Sequence, residues 1–212
     1  MGLARLSAVH HERMEVVIAE TEIRFANYEF PGATVYPGGA VPVPEIRDID
    51  PRAMPPEVRT VHGETLFLPS ACQPELCEFR RRNAIPVRRR PDIWSDLLEP
   101  FLDTSFDQEH SRATEQRLER AGLSPAEVIE IRRRVQPVMV AYNFDSMLWE
   151  WVHLGLFDLL SAASGSLVPP AVCATLGDPV TLYSWAMHIA ERTGGKSPSG
   201  TGSSSEQNSS TG

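Results

Sequence analysis

Apolar positions change period once along this chain. Between residues 15 and 88 they come in short β-branched or alternating runs; beyond Pro91 they recur at helical spacing. Val16-Val17-Ile18 passes into Thr21-Glu22-Ile23-Arg24-Phe25, and the alternation predicts a half-buried strand. Pro31-Gly32 marks a turn. Residues 33–36 and 40–43 flank Pro37-Gly38-Gly39, which predicts a hairpin with a Gly-containing loop. Pro42 and Pro44 cannot donate ladder hydrogen bonds, so that second arm belongs at a sheet edge or leaves the sheet. Residues 45–60 are proline-rich and read as an irregular excursion with a short helix near 56–60. Thr65 to Leu68 is strand-like, Ser70 and Pro74 suit the start of a helix to about Arg82, and Ile85 to Arg88 resumes strand character. Strand, short helix, strand predicts one βαβ-like unit.

The second half reads as helices. Ile93, Trp94, Leu97, Leu98, Phe101 and Leu102 share a face opposite Asp96 and Glu99, with a bend or end near Pro100. A charged helix over 107–121 is closed by Gly122. Ser124-Pro125-Ala126-Glu127 is a capping box with Pro at the first helical position, and Val128, Ile131 and Val135 follow on one face. Pro137 is expected to kink or end that helix. Residues 138–163 are apolar on nearly every side and predict a central helix, with Trp151 near its middle. Asp178-Pro179 starts a last helix, and 194–212 holds Gly, Ser and Thr without apolar residues, a composition of disorder.

The expected class is therefore α+β: a small β-rich N-terminal part followed by a helical C-terminal part. By segment, 1–13 is a polar leader, 14–91 the small α/β part, 92–193 the helical part and 194–212 the tail. No long linker separates 14–91 from 92–193, so one continuous domain is as compatible as two.

Charge and cysteine content narrow the function classes. A net charge of -8 disfavours non-specific contact with nucleic acid or an anionic membrane. Lys196 is the sole lysine among 20 basic residues, a skew that fits genome composition. Three cysteines are too few, and odd in number, for a secreted disulfide scaffold. The start of the chain has no apolar signal-peptide core, and Glu150, His153 and Asp158 interrupt the one stretch approaching a membrane span. The expected location is the cytoplasm, without a membrane partner.

Chemistry has few candidates. Glu150 and His153 lie three apart on a predicted helix and share a face, the spacing of a carboxylate–imidazole pair that can hold a divalent metal or form a plain buried hydrogen-bonded pair. Cys72 and Cys77 bracket a helix start, where a thiol can become a nucleophile, but their spacing is not C-x-x-C. Six arginines between Arg80 and Arg90 offer phosphate contact, against the acidic Asp92, Asp96 and Glu99 nearby and without interleaved aromatics. No phosphate loop, dinucleotide fingerprint or nucleophile elbow occurs. No cofactor is implied, and the balance leans away from an enzyme. The reading that follows is a non-catalytic binding or interaction protein. The aromatic surplus at 142–160, with Trp94 and Trp185, points to a protein partner or self-association. The alternatives are a metal-dependent enzyme centred on Glu150 and His153, and nucleic-acid contact through Arg80 to Arg90.

Overall fold

The computed structural model describes residues 14–102, 108–145 and 153–192. Within them the α+β class holds: two small antiparallel sheets, then helices. The first sheet joins β1 (Glu15–Ile18), β2 (Glu22–Ala26) and β3 (Gly38–Pro42) in that order. The β-branched start is thus not continuous with the alternating run. The chain reverses in a tight turn closed by the Ala19 N–H on the Glu22 carbonyl at 3.0 Å. β3 pairs with β2 rather than with residues 33–36, which form no strand, and Pro42 sits at the sheet edge where its missing donor costs nothing. The long β2–β3 connection carries core side chains instead. Tyr28 and Phe30 are buried and run edge-to-face from Phe25 through to Phe67 and Phe157. At Gly32 (φ +98°) this connection lies against a late helix, where a Cβ would fall 2.9 Å from Tyr183 Cβ.

The second sheet joins β4 (Ile46–Asp50), β5 (Glu57–Thr60) and β6 (Thr65–Phe67). The expected irregular excursion over 45–60 is therefore mostly strand, and the expected turn of helix at 56–60 is β5. Local alternation hides this because β4 and β5 bury charge. Asp48 and Arg59 are register partners, both almost fully buried, and the Arg59 Nε–H donates to Asp48 Oδ1. A charge can be buried in a strand only beside its partner, and that partner is on another strand. After β6 comes α1 (Gln73–Arg82), and the chain then crosses to the far side of β4. There it pairs through one parallel bridge, Ile49 to Val87, with the Ile49 N–H on the Pro86 carbonyl at 3.0 Å and the Arg88 N–H on the Ile49 carbonyl at 3.1 Å. The βαβ-like unit is thus a crossover whose last strand shrinks to a single bridge.

The helices are α2 (Ile93–Leu98), α3 (Gln108–Arg120), α4 (Pro125–Asp145), α5 (Leu156–Ser164), α6 (Pro170–Cys173) and α7 (Pro179–Ala190). Gly122 (φ +82°) closes α3, the Ser124 hydroxyl accepts from the Glu127 N–H at 3.3 Å, and the Asp178 carboxylate accepts from the Thr181 N–H at 2.8 Å. Pro137 neither ends nor interrupts α4, which runs through it. Pro137 and Arg133 are both exposed, so the carbonyl that loses its donor sits on the watered side, while Val135, Val138 and Met139 are fully buried. The apolar stretch 138–163 divides between the end of α4 and α5, with His153 to Gly155 non-helical; Glu150 and Trp151 lie outside the described residues, as do 1–13 and 194–212. Arg132 on α4 is half-buried and donates to the carbonyls of Leu97 and Asp96 at 3.1 Å, where α2 runs out of helical donors.

One hydrophobic core spans both halves. Across it, the Trp94 indole donates to the Ala186 carbonyl at 3.0 Å, and the Tyr183 hydroxyl donates to the buried Glu64 carboxylate at 2.9 Å. Glu64 also accepts from the Thr34 N–H at 2.8 Å and from the Thr34 hydroxyl, so its carboxylate takes three hydrogen bonds from two parts of the fold, the β2–β3 connection and α7.

Candidate functional site

A cleft of about 920 Å³ opens where the second sheet meets the starts of α2 and α5. Four stretches far apart in sequence line it: the β4–β5 region, the end of β6, residues 89–94, and 153–158. Its apolar floor comes from Phe67, Leu68, Trp94, Leu156 and Phe157. Phe67 and Phe157 meet edge-to-face at 5.3 Å between ring centres, and Phe30 braces both from behind. Met54, at 89 % of its surface the most exposed large apolar side chain among the described residues, stands on the wall formed by the β4–β5 connection.

Charge surrounds this floor, and almost all of it is paired. Glu57 accepts from Arg59 at 3.0 Å and faces Arg90 at 3.7 Å. Burial raises the Glu57 carboxyl above its usual value, and the two guanidinium groups oppose that rise. Arg59 is further fixed by Asp48 and the Arg88 carbonyl. Arg90 reaches Glu191 and the Ala190 carbonyl at the end of α7, and the Thr65 hydroxyl. Arg47 adds a two-pronged bond to Glu191, which raises its pKa. Asp50 accepts from the Arg52 backbone N–H at 3.0 Å, which shapes the start of the β4–β5 turn. The side chains of Arg52 and Arg89 differ: both are exposed, both line the cleft, and neither has an ion-pair or hydrogen-bond partner among the described residues.

His153 stands at the cleft's other end. Asp92 caps α2, its Oδ1 accepting from the Ser95 N–H at 3.0 Å, while its Oδ2 lies 3.2 Å from His153 Nε2. The Ser95 hydroxyl lies 3.1 Å from His153 Nδ1. The hydrogen bond to Asp92 raises the His153 pKa, against an opposing effect of burial. Gly155 makes this closeness possible, since a Cβ there would fall 3.1 Å from Asp92 Oδ2. Its N–H donates to Asp158 Oδ2 at 2.8 Å at the start of α5, and burial raises the Asp158 carboxyl. Serine, histidine and aspartate are thus contiguous, but the group is not built as a nucleophilic triad. The carboxylate that would orient the ring is about half exposed, and Ser95 does not line the cleft.

The sequence-level candidates fare unevenly. His153 lines the cleft, with both ring nitrogens engaged by Asp92 and Ser95; Glu150 lies outside the described residues. Among the described residues no three His, Cys, Asp or Glu side chains gather as a metal site. Burial raises the Cys72 thiol, and Glu75 raises it further, so the start of α1 does not activate it. The arginines between Arg80 and Arg90 do not act as one surface. Arg81 pairs with Glu78 on α1, Arg90 is tied to α7 and the sheet, and Arg89 lines the cleft. Trp94 and Tyr142 are buried in the protein's own core, and Trp185 packs against Trp94 with Arg134 over its ring at 4.1 Å. Trp94 and Tyr142 are thus part of this chain's own core, and Trp149 and Trp151 lie outside the described residues. The pattern reading missed Asp92 as a cap, although an Asp directly before the apolar helix at 93 was a usable signal. Comparison with known proteins gave no matching family model, no matching curated protein and no matching solved structure. Among the described residues no helix is long and apolar enough to cross a membrane.

Proposed function

We propose that this is a non-catalytic binding protein of the cytoplasm whose cleft holds a compact, largely apolar molecule. One observation carries the reading: a cleft of about 920 Å³ with an aromatic and aliphatic floor, walled by polar groups that are mostly committed to one another. Small-molecule sites have this build, roughly 300–1,000 Å³ of apolar lining with few polar groups left to orient the occupant. The committed walls also speak for binding over chemistry, because Glu57, Asp92 and Asp158 already have partners. Three unbridged thiols, Cys72, Cys77 and Cys173, suit a reducing compartment.

The neutral fluorophore N-phenyl-1-naphthylamine tests the reading, since it brings an apolar body without charge. Saturable fluorescence enhancement is expected with the unaltered protein. Ala53→Trp, which adds bulk on the cleft wall, should abolish it while leaving the melting temperature within a few degrees. No saturable enhancement, or equal enhancement in both proteins, would reject the cleft as a binding site.

A further inference from the structure

We infer that the cleft's occupant is an organic acid, an apolar body carrying a carboxylate that Arg52 and Arg89 receive together. The inference rests on the cleft being a binding site and adds the chemical class of what it binds. Of the eight charged carboxylate and guanidinium groups on the walls, the carboxylates all have partners. Glu57 has Arg59 and Arg90, Asp92 has His153 and the Ser95 N–H, Asp158 has the Gly155 N–H, and Asp50 has the Arg52 N–H. Arg59 and Arg90 are likewise spent on the sheet and on α7. The charged side chains lining the cleft that have no hydrogen-bond or ion-pair partner among the described residues are therefore Arg52 and Arg89.

Their placement suits an anion with an apolar tail. Arg52 comes from the β4–β5 wall, and Arg89 from the segment that leads into α2 and the Trp94 floor. A guanidinium receives a carboxylate through two parallel N–H donors, and does so best beside a low-dielectric surface such as the Phe67 and Phe157 rings. The chain as a whole is acidic, at -8, so an anion gains nothing from the protein's long-range field. Preference for an acid must then come from these two side chains, and removing them should remove it.

A matched pair of probes reads this directly: 1-naphthaleneacetate and its neutral amide, 1-naphthaleneacetamide, titrated calorimetrically at neutral pH. The acid is expected to bind about tenfold more tightly than the amide at low salt. The gap should narrow at about 0.5 M sodium chloride, where exposed charges are screened. In the double variant Arg52→Gln, Arg89→Gln the two probes should bind alike, within about twofold, with amide affinity unchanged. Arg52→Lys with Arg89→Lys, which keeps both charges, should retain a preference for the acid. Binding of the amide as tight as that of the acid, or a preference that survives the double Gln substitution, would overturn the assignment while leaving the cleft a site for neutral ligands. Failure of both probes and of the neutral fluorophore would instead remove the binding reading itself.

Discussion

Arg59 and Arg89 border one cleft and carry the same side chain, yet the fold uses them in opposite ways. Arg59 is almost fully buried, and its guanidinium is divided among Asp48, Glu57 and the Arg88 carbonyl. Arg89 stands exposed with no partner among the described residues, as does the side chain of Arg52 across from it in sequence. With Arg47 and Arg90, Arg59 belongs to a set of ion pairs that ties the second sheet to the end of α7. The difference lies in desolvation. A guanidinium taken out of water has to find carboxylates or carbonyls, and it then becomes part of the framework. One left in water costs the fold nothing and remains available to a ligand. Among the four arginines that line the cleft, burial thus separates a structural pair, Arg59 and Arg90, from the exposed pair Arg52 and Arg89.

The largest expected effect falls on the structural set. Arg59→Leu leaves buried Asp48 with Arg47 as its one remaining guanidinium and takes one of two guanidinium groups from Glu57, and it should cost about 3–5 kcal/mol, seen as a large drop in the urea midpoint. Arg59→Leu combined with Asp48→Leu should be less damaging than the single change, because the buried Asp48 charge is removed together with its Arg59 partner while Glu57 keeps Arg90 and Arg47 keeps Glu191. If the single variant is as stable as the parent, the structural half of the comparison is broken. Gly32→Ala should follow, with a loss of roughly 1–3 kcal/mol, since it combines a φ of +98° with a Cβ 2.9 Å from Tyr183 Cβ. A neutral outcome in calorimetry would mean that the Tyr28–Phe30 connection is not pressed against α7. The free pair should show the opposite behaviour. Arg52→Gln with Arg89→Gln should shift stability by no more than about 0.5 kcal/mol, as expected of exposed groups without partners. A larger loss would place these residues in the framework after all.

The smallest effect concerns pH at the His153 end of the cleft. The hydrogen bond to Asp92 raises the His153 pKa above its ordinary 6.5. Its contribution is therefore fully present below that ordinary value and is lost as pH rises through the folded value. Asp158, raised by burial above 3.8, acts in the same direction over a lower window, stabilising least once it is ionised. Histidine side-chain NMR titration should show His153 titrating above the ordinary value, and Asp92→Asn should bring it down. An unchanged titration in that variant would sever the link between Asp92 and His153.

Much of the helical half was legible because its signals are local. Ser124-Pro125, Asp178-Pro179 and Gly122 work through their own nearest turns, and they start and stop helices where expected. The failures have non-local causes. β4 and β5 looked irregular because their buried positions hold Asp48 and Arg59, acceptable only within an ion-pair set that Arg47 and Glu57 complete from both strands. Pro137 looked like a stop because sequence alone does not reveal which side of α4 faces water. The cleft as a whole was not legible. It is assembled from stretches near 50, 68, 90 and 155, of which the Arg80–Arg90 segment and His153 stand out in the sequence, each for a different chemistry. Of the candidate residues, His153 lines it, with Asp92 and Ser95 as its partners among the described residues, while Glu150 lies outside them.

The most direct test of the central claim, that free arginines and an apolar floor make one site, is a map of amide NMR shifts on adding 1-naphthaleneacetate. Saturable changes are expected to cluster at Arg52, Phe67, Leu68, Arg89, Trp94 and Gly155, four separate stretches of sequence responding with one dissociation constant. Changes confined to other surfaces, or a spectrum that does not move at saturating probe, would contradict it.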